Sequence, residues 1–163
     1  MQTTTLTTVS LSHHGFAEKL LQTESNHHLL ISTKAFQTGN VISSFSAAEV
    51  HDHASRYTVQ VAENKHIILS PEFLQYINHS CDPNAFFNTT TMELTALKPI
   101  APGDEFTFFY PSTEWDMAEP FHCLCGSTKC LNVIKGAKNI ALDVLNTYKL
   151  TDFIQSKRRQ LKD

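Results

Sequence analysis

Apolar and polar residues alternate in short runs along most of this chain, and only its end carries a helical period. Leu29–Ile31 is a brief apolar run, followed by a turn signal at Gly39-Asn40 and a second extended piece opening at Val41-Ile42. Tyr57–Val61 alternates in β-forming residues and predicts a strand. His66–Leu69 predicts its neighbour across a turn at residues 63–65. Pro71 suits the first turn of a short helix over 71–77, with Ser70 as its cap. Met92–Leu97 and Glu105–Tyr110 predict two further strands, separated by a breaker that contains Pro99, Pro102 and Gly103. Ile140, Ala141, Val144, Leu145 and Tyr148 then recur at helical spacing, which predicts one amphipathic helix that restarts near Thr151 to pack Phe153 and Ile154. Residues 1–24 are Thr-rich, then mixed, and read as a frayed end followed by a short strand or helix. The sum is a mainly β, α+β domain of small sheets with a C-terminal helix.

At 163 residues the chain suits one core rather than two. A hydrophobic fraction of 41% against 18% charged residues argues against disorder. The net charge of −3 lacks the basic excess of a nucleic-acid surface, so direct DNA or RNA binding is not expected, and a basic partner suits the mild acidity. No apolar run approaches the roughly 18 residues of a membrane span, so no membrane association is expected. The opening residues lack a basic region and a long apolar region, so a secretory signal is not expected either. A reducing, intracellular compartment follows as the expectation, in which four cysteines serve as ligands or free thiols.

Three of the four, Cys123, Cys125 and Cys130, form a C-x-C-x4-C cluster. Residues two apart bridge each other poorly, yet both can reach one metal, and Gly126 lets the backbone turn so that Cys130 joins them. A tetrahedral zinc needs a fourth ligand. Cys81 is the remaining cysteine, and His122 is the competing candidate. If Cys81 closes the site, the metal clamps segments far apart in sequence.

Asn78–Asn84 reads Asn-His-Ser-Cys-Asp-Pro-Asn, and this string resembles the signature of SET-domain protein-lysine methyltransferases. Pro102–Tyr110 resembles the second signature of that family, a Gly-acidic-Glu turn leading to a strand that ends in tyrosine. Phe121–Cys130 resembles its post-SET zinc segment, and the three occur in the family's order. The resemblance implies a SET-type β fold, small curved sheets with a pseudoknot in which a later loop threads the segment carrying Asn78–Asn84. The division it implies is residues 1–25 as an N-terminal extension, 26–118 as the SET domain, 119–135 as the post-SET zinc segment and 136–163 as the C-terminal helix. It also implies transfer of a methyl group from S-adenosylmethionine to a lysine of a basic protein or peptide, a histone-like tail being one such substrate. By the same resemblance Asn78, His79, Tyr57, Phe121 and Leu124 hold the cofactor, and Tyr110, Tyr57 and Phe108 stand at the methyl-transfer centre. Cys81, Cys123, Cys125 and Cys130 match the ligands of a structural zinc. Phe108 stands where the family tunes product multiplicity, and phenylalanine there leaves room for di- or trimethylation.

One departure stands out. The Gly-x-Gly element expected before Leu30 reads His27-His28-Leu29. Glycine lets backbone approach a ligand closely, so either Gly15 or a rearranged backbone substitutes, or cofactor binding is weakened. The alternative function is therefore a non-catalytic SET scaffold that binds a peptide or partner around a structural zinc. The acidic loop with Glu114, Asp116 and Glu119 reads either as a receiver of a basic substrate tail or as a solvated loop. His13-His14, His27-His28 and the His51/His53 pair read as surface histidines. Substrate selection is left to residues 41–57, to the post-SET groove or to a homodimer. The expected compartment is the nucleus in an organism with chromatin and the cytoplasm otherwise.

Overall fold

A computed structural model describes residues 6–161 of the chain. Three strands, β1 (Thr8–His13), β2 (Ala17–Gln22) and β3 (His27–Ser32), form an antiparallel meander. The stretch that reads as a frayed end followed by a short strand or helix thus contributes two strands. β4 (Val41–Ser44) leads directly into β5 (Ser46–His51), and β6 (Thr58–Ala62) and β7 (Lys65–Ser70) follow. β5, β7 and β6 make a second antiparallel sheet, and Asn64 takes a positive φ in its tight turn. Residues 72–76 form a short 3-10 helix. Pro71 caps it without a side-chain bond, and Ser70 instead ends β7.

The central sheet places β8 (Asn78–His79), β9 (Ala85–Asn88), β10 (Glu93–Ala96) and β11 (Thr107–Phe108) in the order β4-β10-β9-β11-β8. β11 runs parallel to both β8 and β9 and lies between them. The chain from His79 to Ala85 therefore wraps around β11, and this is the crossing implied by the signature string. Asn84 sits at the turn of the wrap: its Nδ2 donates to the Glu105 carbonyl at 2.8 Å and its Oδ1 accepts from the Thr107 N–H at 2.9 Å.

The strand predicted over 105–110 is shorter than its sequence suggests, because its extended backbone changes partners. The Ser32 N–H bonds the Asp104 carbonyl and the Phe106 N–H bonds the Leu30 carbonyl, which ties this stretch to β3. Only Thr107 and Phe108 join the central sheet. Tyr110 then opens a 3-10 turn with Pro111 and Ser112 instead of ending a strand.

Phe87, Phe106, Leu30, Ile67 and Leu94, none more than 2% exposed, form the centre of the main core between these sheets. Beyond it, β12 (Phe121–His122) and β13 (Val133–Ile134) make a small ribbon around the cysteines. The C-terminal region then corrects the helical reading. Residues 140–148 hold only the one-turn α1 (Leu142–Leu145), and the longer helix is α2 (Asp152–Gln160). Thr151 caps α2 by accepting the Ile154 N–H. Leu145, Leu150 and Ile154 bury with Phe109 in a second core, so apolar packing rather than helical periodicity shapes this segment. The basic end of α2 is tied down: Lys157 meets Glu63 at 2.9 Å and lies over Trp115, and Arg158 bonds Asn146.

Glu114 links β6 to the chain that follows Tyr110. Its Oε1 accepts the Gln60 N–H at 2.8 Å and the Thr113 hydroxyl at 3.1 Å, and Gln60 Oε1 accepts the Trp115 N–H in return. The side chain is buried, and burial pushes its pKa from the ordinary 4.5 up to about 7, against the lowering effect of those bonds. A folded-state pKa raised in this way makes the folded chain hold its proton longer than the unfolded one. The associated stability is fully present below about pH 4.5 and is lost as pH rises through about 7. Glu114→Gln removes that dependence. Denaturant titrations of the two proteins should show the stability of the variant relative to wild type rising between pH 5 and 8, with a flat difference above about pH 8.

Candidate active site

The pairing of β8 with β11 sets Asn78 opposite Thr107 and His79 opposite Phe108, so both signature strings meet at one edge of the central sheet. Asn78 Nδ2 has three acceptors within reach: the His28 carbonyl at 2.8 Å, Glu105 Oε1 at 3.0 Å and His27 Nε2 at 3.1 Å. Its amide is thereby held by β3 and by the Gly-acidic-Glu turn. Among the described residues its Oδ1 has no protein partner, which leaves one acceptor for a ligand donor. The backbone of His27-His28 thus approaches Asn78 without glycine. Gly15 lies in the β1–β2 turn, where its carbonyl accepts the Thr33 hydroxyl.

His79 is held on both ring nitrogens. Nδ1 accepts the Tyr110 N–H at 3.2 Å, which places the proton on Nε2, and Nε2 lies 3.3 Å from Cys81 Sγ. Burial lowers its pKa to about 4, so the ring is neutral around pH 7. The ring packs among Tyr110, Phe109 and Phe121, with centroids 5.2, 5.6 and 5.6 Å away. The Tyr110 hydroxyl points to the Ile77 carbonyl at 3.4 Å, a long bond. Burial pushes its pKa up to about 12, so it stays a phenol. Phe108 packs against Tyr110 at 4.7 Å and Phe87 at 4.8 Å and is itself buried in the main core.

The remaining expected site residues divide. Phe121, half-buried, lies 5.9 Å from the Tyr110 ring and joins the cluster. Leu124 is 95% exposed and presents an apolar side chain to solvent beside the cysteines. Tyr57 does not join: it is 47% exposed, and the group over its ring is the Arg56 guanidinium. The reason is local. The Ser55 N–H and carbonyl both bond the Thr58 hydroxyl, which turns Thr58 inward at the start of β6 and leaves Tyr57 outside. The acidic loop also departs from its reading as a receiver of basic tails. Glu114 is buried, and Asp116 is engaged by Lys138 at 2.6 Å.

The four sulfurs of Cys81, Cys123, Cys125 and Cys130 all lie within 4.8 Å of one another, and Cys81 and Cys123 are 3.9 Å apart. A tetrahedron with Zn–S bonds of about 2.3 Å has sulfur–sulfur edges of about 3.8 Å, so the set fits a zinc ion. His122 is exposed and outside the set, whereas Cys81 lies within it. Burial pushes the Cys81 thiol up to about 11 and raises Cys123 as well. Two more contacts escaped sequence reasoning. The Leu131 N–H donates to Cys81 Sγ, and the Tyr148 hydroxyl donates to the Cys81 carbonyl at 2.8 Å. Neither has a sequence signal, since both join residues 50 or more positions apart.

Known proteins share the sequence pattern and the fold of this chain. The profile of the SET domain matches residues 14–111. Methyltransferase flvH of Aspergillus flavus is 38% identical over 126 residues, a stretch covering 76% of this chain and 70% of that protein. An H3 lysine-4-specific histone-lysine N-methyltransferase of Aspergillus fumigatus is 33% identical over 85 residues, 47% of this chain but 7% of that much longer protein. The crystal structure of KRYPTONITE in complex with mCHG DNA and SAH superposes with a TM-score of 0.51 at 20% identity, over 65% of this chain and 26% of that one, a likeness of fold.

Metal content provides the first check. Native mass spectrometry should find one zinc per chain in the wild type and in His122→Ala. Cys81→Ser should lose the metal and, with it, cooperative unfolding of the Phe121–Ile134 ribbon.

Proposed function

Because this chain belongs to the SET-domain family of S-adenosylmethionine-dependent methyltransferases, we propose that it methylates a lysine of a basic protein, with a histone-like tail as the first substrate class to examine. The observation that carries the reading is the joining of His79, Tyr110 and Phe121 in one cluster beside a four-cysteine site, with Asn78 next to His79 on β8 and held by β3. S-adenosylmethionine, when bound, supplies an electrophilic methyl group on a sulfonium. The free Asn78 Oδ1 is suited to accept from its ammonium group, and Phe121 and the exposed Leu124 offer apolar surface to its base. Zinc in the cysteine set would be structural, holding the Phe121–Cys130 segment against residues 78–81.

The chemistry asked of the protein is positioning more than proton abstraction. A lysine has a pKa of about 10.4 in water and must reach the centre neutral; an apolar channel lowers that value. Tyr110 stays protonated at neutral pH and His79 Nδ1 already accepts the Tyr110 N–H, so neither side chain serves as a general base. Their work is to hold geometry, which can supply several kcal/mol of a displacement barrier. The aromatic rings of Tyr110 and Phe108 suit a lysine stem and a methylated ammonium through cation–π attraction. An intracellular compartment is part of this proposal, the nucleus in an organism with chromatin and the cytoplasm otherwise, where zinc-binding cysteines stay reduced.

The substitution of His27-His28-Leu29 for Gly-x-Gly favours a second reading, a peptide-binding scaffold without catalysis, and one titration separates the two. Calorimetry of the zinc-loaded chain with S-adenosylmethionine should give saturable one-site binding, weakened roughly tenfold or more by Asn78→Ala, the loss expected when a hydrogen bond to a charged group is removed. Absence of binding to zinc-loaded wild type would leave the scaffold reading. If transfer to a histone-tail peptide is seen, Phe108→Tyr should shift the product from di- or trimethyl-lysine toward monomethyl-lysine. Unchanged trimethyl product in that variant would refute the role of Phe108.

A further inference from the structure

The segment after the cysteine ribbon lies beyond the SET-domain match, yet it brackets Tyr110 on both sides. Before Tyr110, the Phe109 ring is stacked on Tyr148, with centroids 3.7 Å apart and planes 5° from parallel. After it, the Thr151 N–H donates to the Ser112 carbonyl at 3.0 Å, at the end of the turn that Tyr110 opens. The same Tyr148 reaches the other half of the site, because its hydroxyl donates to the Cys81 carbonyl at 2.8 Å. One side chain therefore touches the residue preceding Tyr110 and a residue two positions past His79.

The rest of the segment fixes Tyr148 in place. Leu145, Leu150 and Ile154 are buried with Phe109, so the ring is anchored by apolar packing on both sides of it in sequence. Upstream, the Ala137 N–H bonds the Glu114 carbonyl and the Lys138 N–H bonds the Trp115 carbonyl. Gly136 permits this approach: its φ is +121°, and a Cβ there would lie 2.6 Å from the Trp115 carbonyl oxygen. By contrast, Tyr110 is weakly held by its own hydroxyl, whose bond to Ile77 is 3.4 Å long.

We propose that residues 136–160 act as a brace for the reaction centre and that Tyr148 is its positioning residue, holding the Phe109–Ser112 turn in register with the His79–Cys81 segment. The proposal rests on the methyl-transfer reading for its kinetic consequence, though not for its structural one. Tyr148 touches no reacting atom in this scheme. Its effect is exerted through Phe109 and the Cys81 carbonyl, and misplacement of a reacting group by about 1 Å is enough to slow such a reaction by orders of magnitude.

Two graded variants of the full zinc-loaded chain test it. Tyr148→Phe keeps the stack and loses the bond to Cys81; Tyr148→Leu loses both. Hydrogen exchange read at Tyr110 and Ser112 should accelerate slightly in the first and at least tenfold in the second, while exchange in β2 and β3 stays at the wild-type rate. With a histone-tail peptide, kcat should fall severalfold in Tyr148→Phe and about a hundredfold in Tyr148→Leu, with the KM for S-adenosylmethionine within about twofold of wild type. A merely structural residue would instead speed exchange everywhere and move kcat and KM together, and that result would overturn the brace. Wild-type exchange at Tyr110 and Ser112 in Tyr148→Leu would overturn it as well. If the wild-type chain transfers no methyl group, the activity is what fails, and the exchange rates alone decide the brace.

Discussion

The insertion of two residues, Thr107 and Phe108, between β8 and β9 is the constraint on which the rest of this structure depends. A parallel strand placed between two others that are close in sequence forces the connecting chain to pass around it. That passage puts Asn78, His79 and Cys81 on one flank of the inserted strand and Asn84 on the other. It also delivers Tyr110 to the His79 ring, because the inserted strand runs straight into the turn that Tyr110 opens. The half-buried amide of Asn84 secures the crossing by satisfying one carbonyl and one N–H at the inserted strand.

Around this crossing the polar groups are organised to keep the centre neutral. His79 is half-buried with its Nδ1 occupied by a backbone donor, and Tyr110 is a partly buried phenol. Such a centre is well matched to a reaction in which a neutral amine meets a cationic methyl donor, since a fixed negative charge would favour the unreactive ammonium. The four-cysteine set and the Glu114 side chain each tie distant parts of the chain together. The cysteine set and the Tyr148 bond both act on residue 81, so the strand that carries His79 is restrained from the ribbon and from the C-terminal segment at once.

Much of the site was legible because its chemistry is carried by short strings. Asn78–Asn84, the turn before Thr107 and the C-x-C-x4-C spacing each need particular residue types at particular positions, and backbone geometry leaves few substitutes. Tyr57 shows the limit of that kind of reading. The sequence puts it at the head of a strand, but β6 begins at Thr58, and a hydroxyl–backbone turn between Ser55 and Thr58 leaves Tyr57 outside. The acidic loop shows the same limit, because a carboxylate next to a tryptophan reads as solvated until the fold buries it against β6. Residues 140–148 carried a helical period, yet the apolar positions that produce it are spent on packing against Phe109 and make only one helical turn.

What the sequence by itself determined is the set of local commitments: β-rich elements, the turns at Asn64 and Gly103, three ligands for a metal, and the strings that mark the family. Each depends on interactions between residues close in the chain. What only the tertiary structure decided is which of those commitments meet. The fourth metal ligand joins from 42 residues away, the Asn78 amide is held by β3 from 50 away, and Tyr148 reaches Cys81 from 67 away. Contacts of that span leave no periodicity or spacing in the sequence, because they are fixed by the burial of apolar surface over the whole domain and not by any local preference of the backbone.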